Sequence, residues 1–113
     1  MIFDKSEFLS RLEGDELLGS EIIEMFLQEY PKLLDGIHQA VEQRNASLLE
    51  RAAHSLMGSV GDVAAPQALE HARALEQMAR KGDWEGANAA LVRLEVALDQ
   101  LAREMRNSEI RVA

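Results

Sequence analysis

Residues 84–105 read WEGANAALVRLEVALDQLAREM and place an apolar side chain at every third or fourth position without a slip. Such spacing brings these side chains to one face of an α-helix, as in a helix that packs along a bundle seam. The apolar positions are Trp84, Ala87, Leu91, Leu94, Leu98, Leu101 and Met105. This stretch therefore predicts one long amphipathic helix and indicates a helical bundle.

The rest of the chain shows the same helical periodicity, and no window alternates between apolar and polar residues as a strand would. A short first helix is predicted to begin at Asp4, with Glu7 in capping-box register and Gly14 as the stop. Three longer helices follow, and the residues predicted to start them are Asp15, Asn45 and Pro66. The predicted fold class is all-α: an antiparallel four-helix bundle, with helices crossing at about 20° and the short additional N-terminal helix as a lid.

The second helix continues its apolar stripe past a proline. The stripe consists of Leu18, Ile22, Phe26, Tyr30, Leu33, Ile37 and Val41. A proline inside a helix removes one backbone hydrogen bond and usually kinks the axis. Because the apolar register persists on both sides of Pro31, we expect one kinked helix rather than two.

Composition and charge restrict the possible functions. The 113 residues are 47% hydrophobic and 28% charged, the balance of one folded domain, which we place at 1–106 with a frayed tail at 107–113. The net charge of −8 argues against nucleic-acid binding, because phosphate contacts require clustered Lys and Arg. The sequence contains no cysteine, no apolar leader segment and no apolar run near the ~20 residues of a membrane span. We therefore expect a cytoplasmic protein without direct membrane contact.

The third helix presents a histidine on its outer face. Its apolar face carries Leu49, Ala52, Ala53, Leu56, Val60 and Val63. At about 100° per residue, His54 points roughly 150° away from the centre of that face. Gly58 and Gly61 follow on the outer face, although a glycine inside a helix costs about 1 kcal/mol relative to alanine. Without side chains at these two positions, another protein can approach the helix beside the imidazole.

An exposed histidine is a suitable nucleophile for phosphoryl transfer. Unperturbed imidazole has a pKa near 6.5, so it is largely neutral at cytoplasmic pH and has a ring nitrogen available for attack. The alternative is that His54 is an ordinary solvated residue. His38 and His71, which lack any motif, are interpreted as solvated histidines or as histidines at the edge of an apolar stripe. The sequence contains no nucleotide-binding motif of the G-x-x-x-x-G-K-[ST] or G-x-G-x-x-G type.

Residues 52–61 read AAHSLMGSVG and closely resemble the phosphoacceptor motif of histidine-containing phosphotransfer (HPt) domains, A-H-x-L-K-G-S. The segments FLSRLEGD, FLQEYPKLL, ALEHARALEQ and GDWEGA also resemble that family, so the similarity extends from about Phe3 to Arg106. It implies that His54 accepts a phosphoryl group from the aspartyl phosphate of a receiver domain, or from a hybrid sensor histidine kinase. His54 would then pass the group to the receiver of a response regulator in a two-component phosphorelay.

The resemblance further implies a phosphocarrier rather than an enzyme. No cofactor is expected on this chain, because in such families the receiver partner supplies Mg²⁺ and the catalytic groups. The residues expected to dock the partner are Ser55, Met57, Gly58, Ser59 and Gly61.

Met57 departs from the family pattern, which usually has lysine three residues after the histidine. A positive charge about one helical turn from the phosphoryl group is therefore missing. Met57 is either a packing residue at the edge of the core or an apolar contact for the partner.

Glu76 stands at the edge of the apolar stripe of the fourth helix, where a carboxylate needs a partner. That stripe consists of Leu69, Ala72, Leu75 and Ala79. The resemblance places Glu76 where it reaches the acceptor imidazole and hydrogen-bonds its other nitrogen, which would fix the tautomer. The alternative is an ion pair within its own helix, with Arg73 or Arg80.

Two other functions fit a helical bundle. A di-iron site needs inward-pointing Glu-x-x-His pairs, which the sequence does not contain, so we predict no metal site. A pure adaptor would bind a receiver or kinase on the same fold without phosphorylation of His54. Met57 is the feature that keeps this alternative open.

Overall fold

The computed structural model describes residues 1–108, and within this range the chain forms five α-helices and no strand. The helices are α1 (Lys5–Arg11), α2 (Glu16–Glu42), α3 (Ala46–Asp62), α4 (Pro66–Lys81) and α5 (Trp84–Arg106). The predicted all-α class is confirmed.

Short polar side chains cap four of the helices. Asp4, Asp15, Asn45 and Asp83 each accept a hydrogen bond from the backbone N–H three residues later, at 2.8–3.0 Å. α4 has no side-chain cap, and Pro66 at its start removes one N–H group that would otherwise need a partner. The predicted helix starts are therefore confirmed.

The capping box predicted for α1 forms only in part. The N–H of Glu7 donates to Asp4, but the Glu7 carboxylate accepts from Nε of Arg11 at 3.1 Å instead of reaching back. The N–H of Asp4 donates to the carbonyl of Ala64 at 2.8 Å. The backbone N–H of Asp4, which the Glu7 carboxylate would accept from in a complete capping box, is therefore engaged in a tertiary hydrogen bond. Gly14, at φ 79°, ends the turn after α1 as predicted.

The four long helices form the bundle. Each of them packs against the next along the chain, and α5 packs back against α2. The connections 43–45, 63–65 and 82–83 are too short for consecutive helices to run in the same direction, so neighbours are antiparallel. The molecule measures 42 × 20 × 19 Å.

α1 closes one end of the bundle, as predicted. Phe3 and Phe8 are buried, and their ring centroids lie 5.8 Å apart. Arg11 donates from Nη1 to the carbonyl of Gly61 at 2.7 Å. These contacts join α1 to the end of the bundle where α3 turns into α4.

The apolar stripe predicted on α2 is confirmed from Ile22 to Val41, where its members are buried or pack against the core, but not at Leu18. The helix is continuous through Pro31, as predicted. Leu18, however, is 41% exposed, and Ile23 rather than Ile22 is fully buried. Neighbouring residues lie about 100° apart on a helix, so the periodicity alone did not show which isoleucine faces the core. As a result, Leu18 and Met25 lie on the surface.

α5 packs through its predicted seam. Six of the seven seam residues are buried, and Trp84 is half-buried against the core. Beyond the helix, Asn107 and Ser108 still donate backbone hydrogen bonds to Arg103 and Met105. The rest of the predicted frayed tail, 109–113, lies outside the described residues, and the domain boundary at 106 stays a prediction.

Candidate functional site

The direction of His54 follows from the packing of α3. Leu49, Ala53, Leu56 and Val60 are fully buried at steps of four, three and four residues. His54 lies on the other side of the helix, and its side chain is 76% exposed. The bundle therefore holds the backbone of α3 while the imidazole ring projects into solvent, as the helical spacing predicted.

One ring nitrogen of His54 is held by a buried carboxylate from α4. Nδ1 lies 2.9 Å from Oε2 of Glu76, whose side chain is only 9% exposed. An ionised carboxylate only accepts hydrogen bonds, so in a neutral imidazole Nδ1 carries the proton and Nε2 keeps its lone pair. Nε2 is therefore the nitrogen that can react with a partner.

Glu76 also contacts a cation, which in turn binds a second carboxylate. Oε1 of Glu76 lies 3.6 Å from Nη2 of Arg80, and Nε of Arg80 donates to Oε1 of Glu50 at 3.0 Å. The hydrogen bond to Glu50 and the negative charge of Glu76 raise the pKa of Arg80 above its ordinary value. Both predicted interactions of Glu76 are thus present, with Arg80 rather than Arg73 as the partner within α4.

This network lines an open concave surface between α3 and α4. Its lining residues are Ser47, Glu50, Arg51, His54, Ser55, Glu76 and Arg80. All of them carry a polar or charged group, so a group attached to His54 would share this surface with several hydrogen-bonding side chains.

Gly58 lies one turn beyond His54 on α3 and has no side chain, so the helix backbone is accessible there. A Cβ atom at Gly58 or at Gly61 would meet no atom within 4 Å apart from the neighbouring backbone of α3 itself. Gly58 is exposed, whereas Gly61 is half-buried and its carbonyl accepts the hydrogen bond from Arg11. The bare surface therefore begins beside His54 and is bordered by α1 at Gly61.

The other predicted docking residues lie in different surroundings. Ser55 lines the concave surface with His54, whereas Ser59 lines a hollow with Met25 and other residues of α2. Met57 is half-buried and packs against the core. This packing supports the first of the two interpretations of Met57, a side chain at the edge of the core.

Most of the chain matches a known family. Residues 21–104, which extend from α2 into α5, match the family model described as Hpt domain. The chain belongs to the Hpt domain family. Its structure matches the crystal structure of histidine-containing phosphotransfer protein B (HptB) from Pseudomonas aeruginosa PAO1 with a TM-score of 0.86. The two sequences are 22% identical, and the match covers 93% of this chain and 91% of that chain, which establishes the fold of this Hpt domain. Curated proteins gave no significant match.

Hpt domains are phosphocarriers rather than catalysts, and they work with kinases and receiver domains in two-component phosphorelays. The family and the class of function that the resemblance implied are therefore confirmed. The matched range contains both His54 and Glu76. The roles of these individual residues stay predictions.

Four lining residues of the Hpt site were not predicted to belong to it, and two of them, Glu50 and Arg80, take part in the contacts of Glu76. From the sequence, Arg80 could be predicted only as a partner of Glu76, which lies four residues earlier in the same helix. Glu50 could be predicted only to face outward, because it lies four residues before His54 on the same helix. The sequence contains no signal for how α3 and α4 align along each other. The contact between Glu50 and Arg80 depends on that alignment.

Outside this site, His38 of the Hpt domain pairs with Glu95, with 2.9 Å between Nε2 and Oε1, across α2 and α5. Residues 1–108 contain no group of three or more His, Cys, Asp or Glu side chains arranged to hold a metal ion. Over the same range, no helix has the length and apolarity needed to cross a membrane.

Proposed function

We propose that His54 is the phosphoacceptor of this Hpt domain. In this proposal it receives the group from the aspartyl phosphate of a receiver domain, or from a hybrid sensor histidine kinase, and passes it to the receiver of a response regulator. The main support is the 2.9 Å contact between Nδ1 of His54 and the buried Glu76. That contact leaves Nε2 with its lone pair on a ring that is 76% exposed.

The transfer is a substitution at phosphorus. The Nε2 lone pair forms the N–P bond while the P–O bond to the aspartyl group breaks, and the electron pair of that bond leaves with the aspartate carboxylate. The ring becomes a phosphorylated imidazolium whose proton stays on Nδ1, where Glu76 accepts it in a hydrogen bond. The negative carboxylate stabilises the positive ring as it forms. Transfer to a second receiver reverses these steps.

The partner supplies what this chain does not. In the proposal the receiver provides Mg²⁺ and its acidic pocket, and this chain, with no cofactor of its own, provides the acceptor and a surface against which the receiver docks. The bare backbone at Gly58 supports docking beside the ring, because a Cβ atom there would meet open space. We further propose a cytoplasmic location, shared with the receiver domains.

Incubation with a ³²P-labelled phosphoreceiver tests the proposal. We expect wild-type protein to gain acid-labile, base-stable label, and His54→Gln to gain none. The matched control is His38→Gln, because His38 is also partly exposed and also pairs with a glutamate from a neighbouring helix. Label that persists in His54→Gln, or that is lost in His38→Gln, would contradict the assignment.

An adaptor without phosphorylation is the second candidate, and Met57 in place of the usual lysine is the observation that favours it. If the chain is an adaptor, the wild-type protein and His54→Gln bind a receiver domain with equal affinity, and neither protein gains label. Calorimetric titration with the same receiver, run beside the labelling experiment, separates the two functions.

A further inference from the structure

The concave surface beside His54 contains a cation, Arg80, that has no role in the transfer steps proposed above. Met57 is apolar and packs against the core, so position 57 provides no charge near the acceptor. Arg80 lines the same concave surface as His54 but comes from α4.

Arg80 is linked to the imidazole through one shared carboxylate. Oε2 of Glu76 contacts Nδ1 of His54 at 2.9 Å, and Oε1 of the same group lies 3.6 Å from Nη2 of Arg80. The second contact of Arg80 runs from Nε to Glu50. These contacts engage Nε and Nη2, and a guanidinium has five N–H donors, so donors remain for a further acceptor.

The charges change when His54 is phosphorylated. Before transfer, one guanidinium faces the two carboxylates of Glu50 and Glu76. A phosphoryl group adds about −1.5 to −2 charges and three strong acceptor oxygens. Arginine binds phosphate oxygens well, because its planar fork donates two parallel hydrogen bonds.

The contact between Arg80 and Glu50 is easily exchanged. The two side chains are 58% and 40% exposed, and ion pairs at that exposure contribute little to stability. Exchanging Glu50 for a stronger acceptor would therefore cost Arg80 little, and its contact with Glu76 would keep it close to the ring.

We infer that Arg80 binds the phosphoryl group on His54 and thereby replaces, from α4, the lysine that related domains usually have at the position of Met57. Glu50 holds the guanidinium in place until the group arrives and then competes with it. This inference rests on the proposed function, since it concerns the phosphorylated form of His54.

Chemical phosphorylation tests the inference without any partner protein. Phosphoramidate transfers its phosphoryl group to histidine and releases ammonia, and ³¹P NMR follows the titration of the resulting phosphohistidine in the intact chain. The signal that is lost in His54→Gln is assigned to His54, which separates it from any label on His38 or His71. A cation in contact with the group stabilises the dianion and lowers the pKa of the phosphoryl group.

We expect Arg80→Gln to lower the acid dissociation constant of the phosphoryl group roughly two- to fivefold, which is a rise of about 0.3–0.7 in its pKa. This is the size expected for the loss of a partly exposed ion pair. The matched control is Arg73→Gln, an exposed arginine of the same helix outside the concave surface, which should leave the titration unchanged. Glu50→Gln should shift the pKa in the opposite direction, because it removes the competing carboxylate. Met57→Lys should restore the wild-type titration in the Arg80→Gln background.

Equal titrations of Arg80→Gln and Arg73→Gln would overturn the inference, and so would a larger shift for Arg51→Gln, which removes the other arginine of the concave surface. In either case the ³²P experiment still decides whether His54 accepts the group from a receiver. A wild-type chain without a His54 signal would instead count against His54 as a nucleophile. Thermal melts followed by circular dichroism show that each variant is folded.

Discussion

At the scale of single residues, the site depends on the contrast between an exposed ring and a buried carboxylate. The side chain of His54 is 76% exposed, whereas that of Glu76 is 9% exposed. A buried carboxylate is unfavourable unless it is paired, and Glu76 is paired on both oxygens, with His54 and with Arg80. The arrangement orients the imidazole and leaves Nε2, the nitrogen that we propose as the nucleophile, uncovered.

The role of Glu76 is tested by comparing Glu76→Leu with Glu76→Gln. Glutamine keeps an oxygen that accepts from Nδ1, whereas leucine removes the acceptor at similar volume. We expect phosphoryl transfer to slow roughly tenfold in Glu76→Leu, about the loss of one charge-assisted hydrogen bond, and much less in Glu76→Gln. ¹⁵N NMR of neutral His54 should show a mixture of the Nδ1–H and Nε2–H tautomers in Glu76→Leu, and the Nδ1–H tautomer in the wild type and in Glu76→Gln. A wild-type rate and tautomer in Glu76→Leu would rule out an orienting role.

At the scale of the helix, α3 has one face that packs in the core and one exposed face that we propose for recognition. Its buried residues join it to the core, whereas Gly58 on the exposed side makes no packing contact that would explain a glycine. A helical glycine is unfavourable by about 1 kcal/mol relative to alanine. Access for a partner is the physical reason we give for keeping it.

This explanation predicts different effects for two glycines with open surroundings. A Cβ atom at Gly58 or at Gly36 would meet nothing within 4 Å, and both positions lie inside helices, α3 and α2. Gly58→Gln and Gly36→Gln should therefore each raise the free energy of unfolding slightly, by about 0.5–1 kcal/mol, in urea denaturation.

Only Gly58→Gln should impair transfer from a phosphoreceiver. We expect a rate at least about tenfold lower at limiting receiver concentration, equivalent to about 1.4 kcal/mol of docking free energy. Gly36→Gln, which lies on α2, serves as the control for the change in helix propensity. Equal transfer rates for the two variants would show that the receiver does not approach along Gly58.

At the scale of the whole molecule, the site lies on the pair α3 and α4, and α1 stabilises the bundle end from which both helices extend. The ring of Phe8 is 1% exposed and packs beside Phe3. The N–H of Asp4 and the guanidinium of Arg11 bond to carbonyls at the end of α3 and in the following connection. α1 is therefore part of the folded core rather than an appendage.

Phe8→Ala tests this assignment of α1. Loss of a fully buried phenylalanine should lower the free energy of unfolding by about 3–5 kcal/mol, measured by urea denaturation. Ser6→Ala, at an exposed position of the same helix, should leave stability nearly unchanged. Under conditions where Phe8→Ala is still folded, labelling of His54 should match wild type, because α1 does not contribute to the concave surface. A loss below about 1 kcal/mol would mean that α1 packs only weakly.

The helices, their starts and the outward direction of His54 could all be predicted from the amino-acid sequence. Caps such as Asp15 and Asn45 act on amide groups three residues away, and the seam of α5 is a periodicity within one helix. These features depend on neighbours along the chain, so they were predictable without knowing how the helices pack.

Three features became clear only once the helices were packed together: which isoleucine of α2 is fully buried, that Met57 packs at the edge of the core, and which partners Glu76 binds. The packing of the helices also brings Glu50 and Arg80 together from positions 30 residues apart in sequence. Each of these outcomes depends on how far one helix is rotated and shifted against the next. That geometry comes from packing the whole core at once, and no local pattern in the chain contains it.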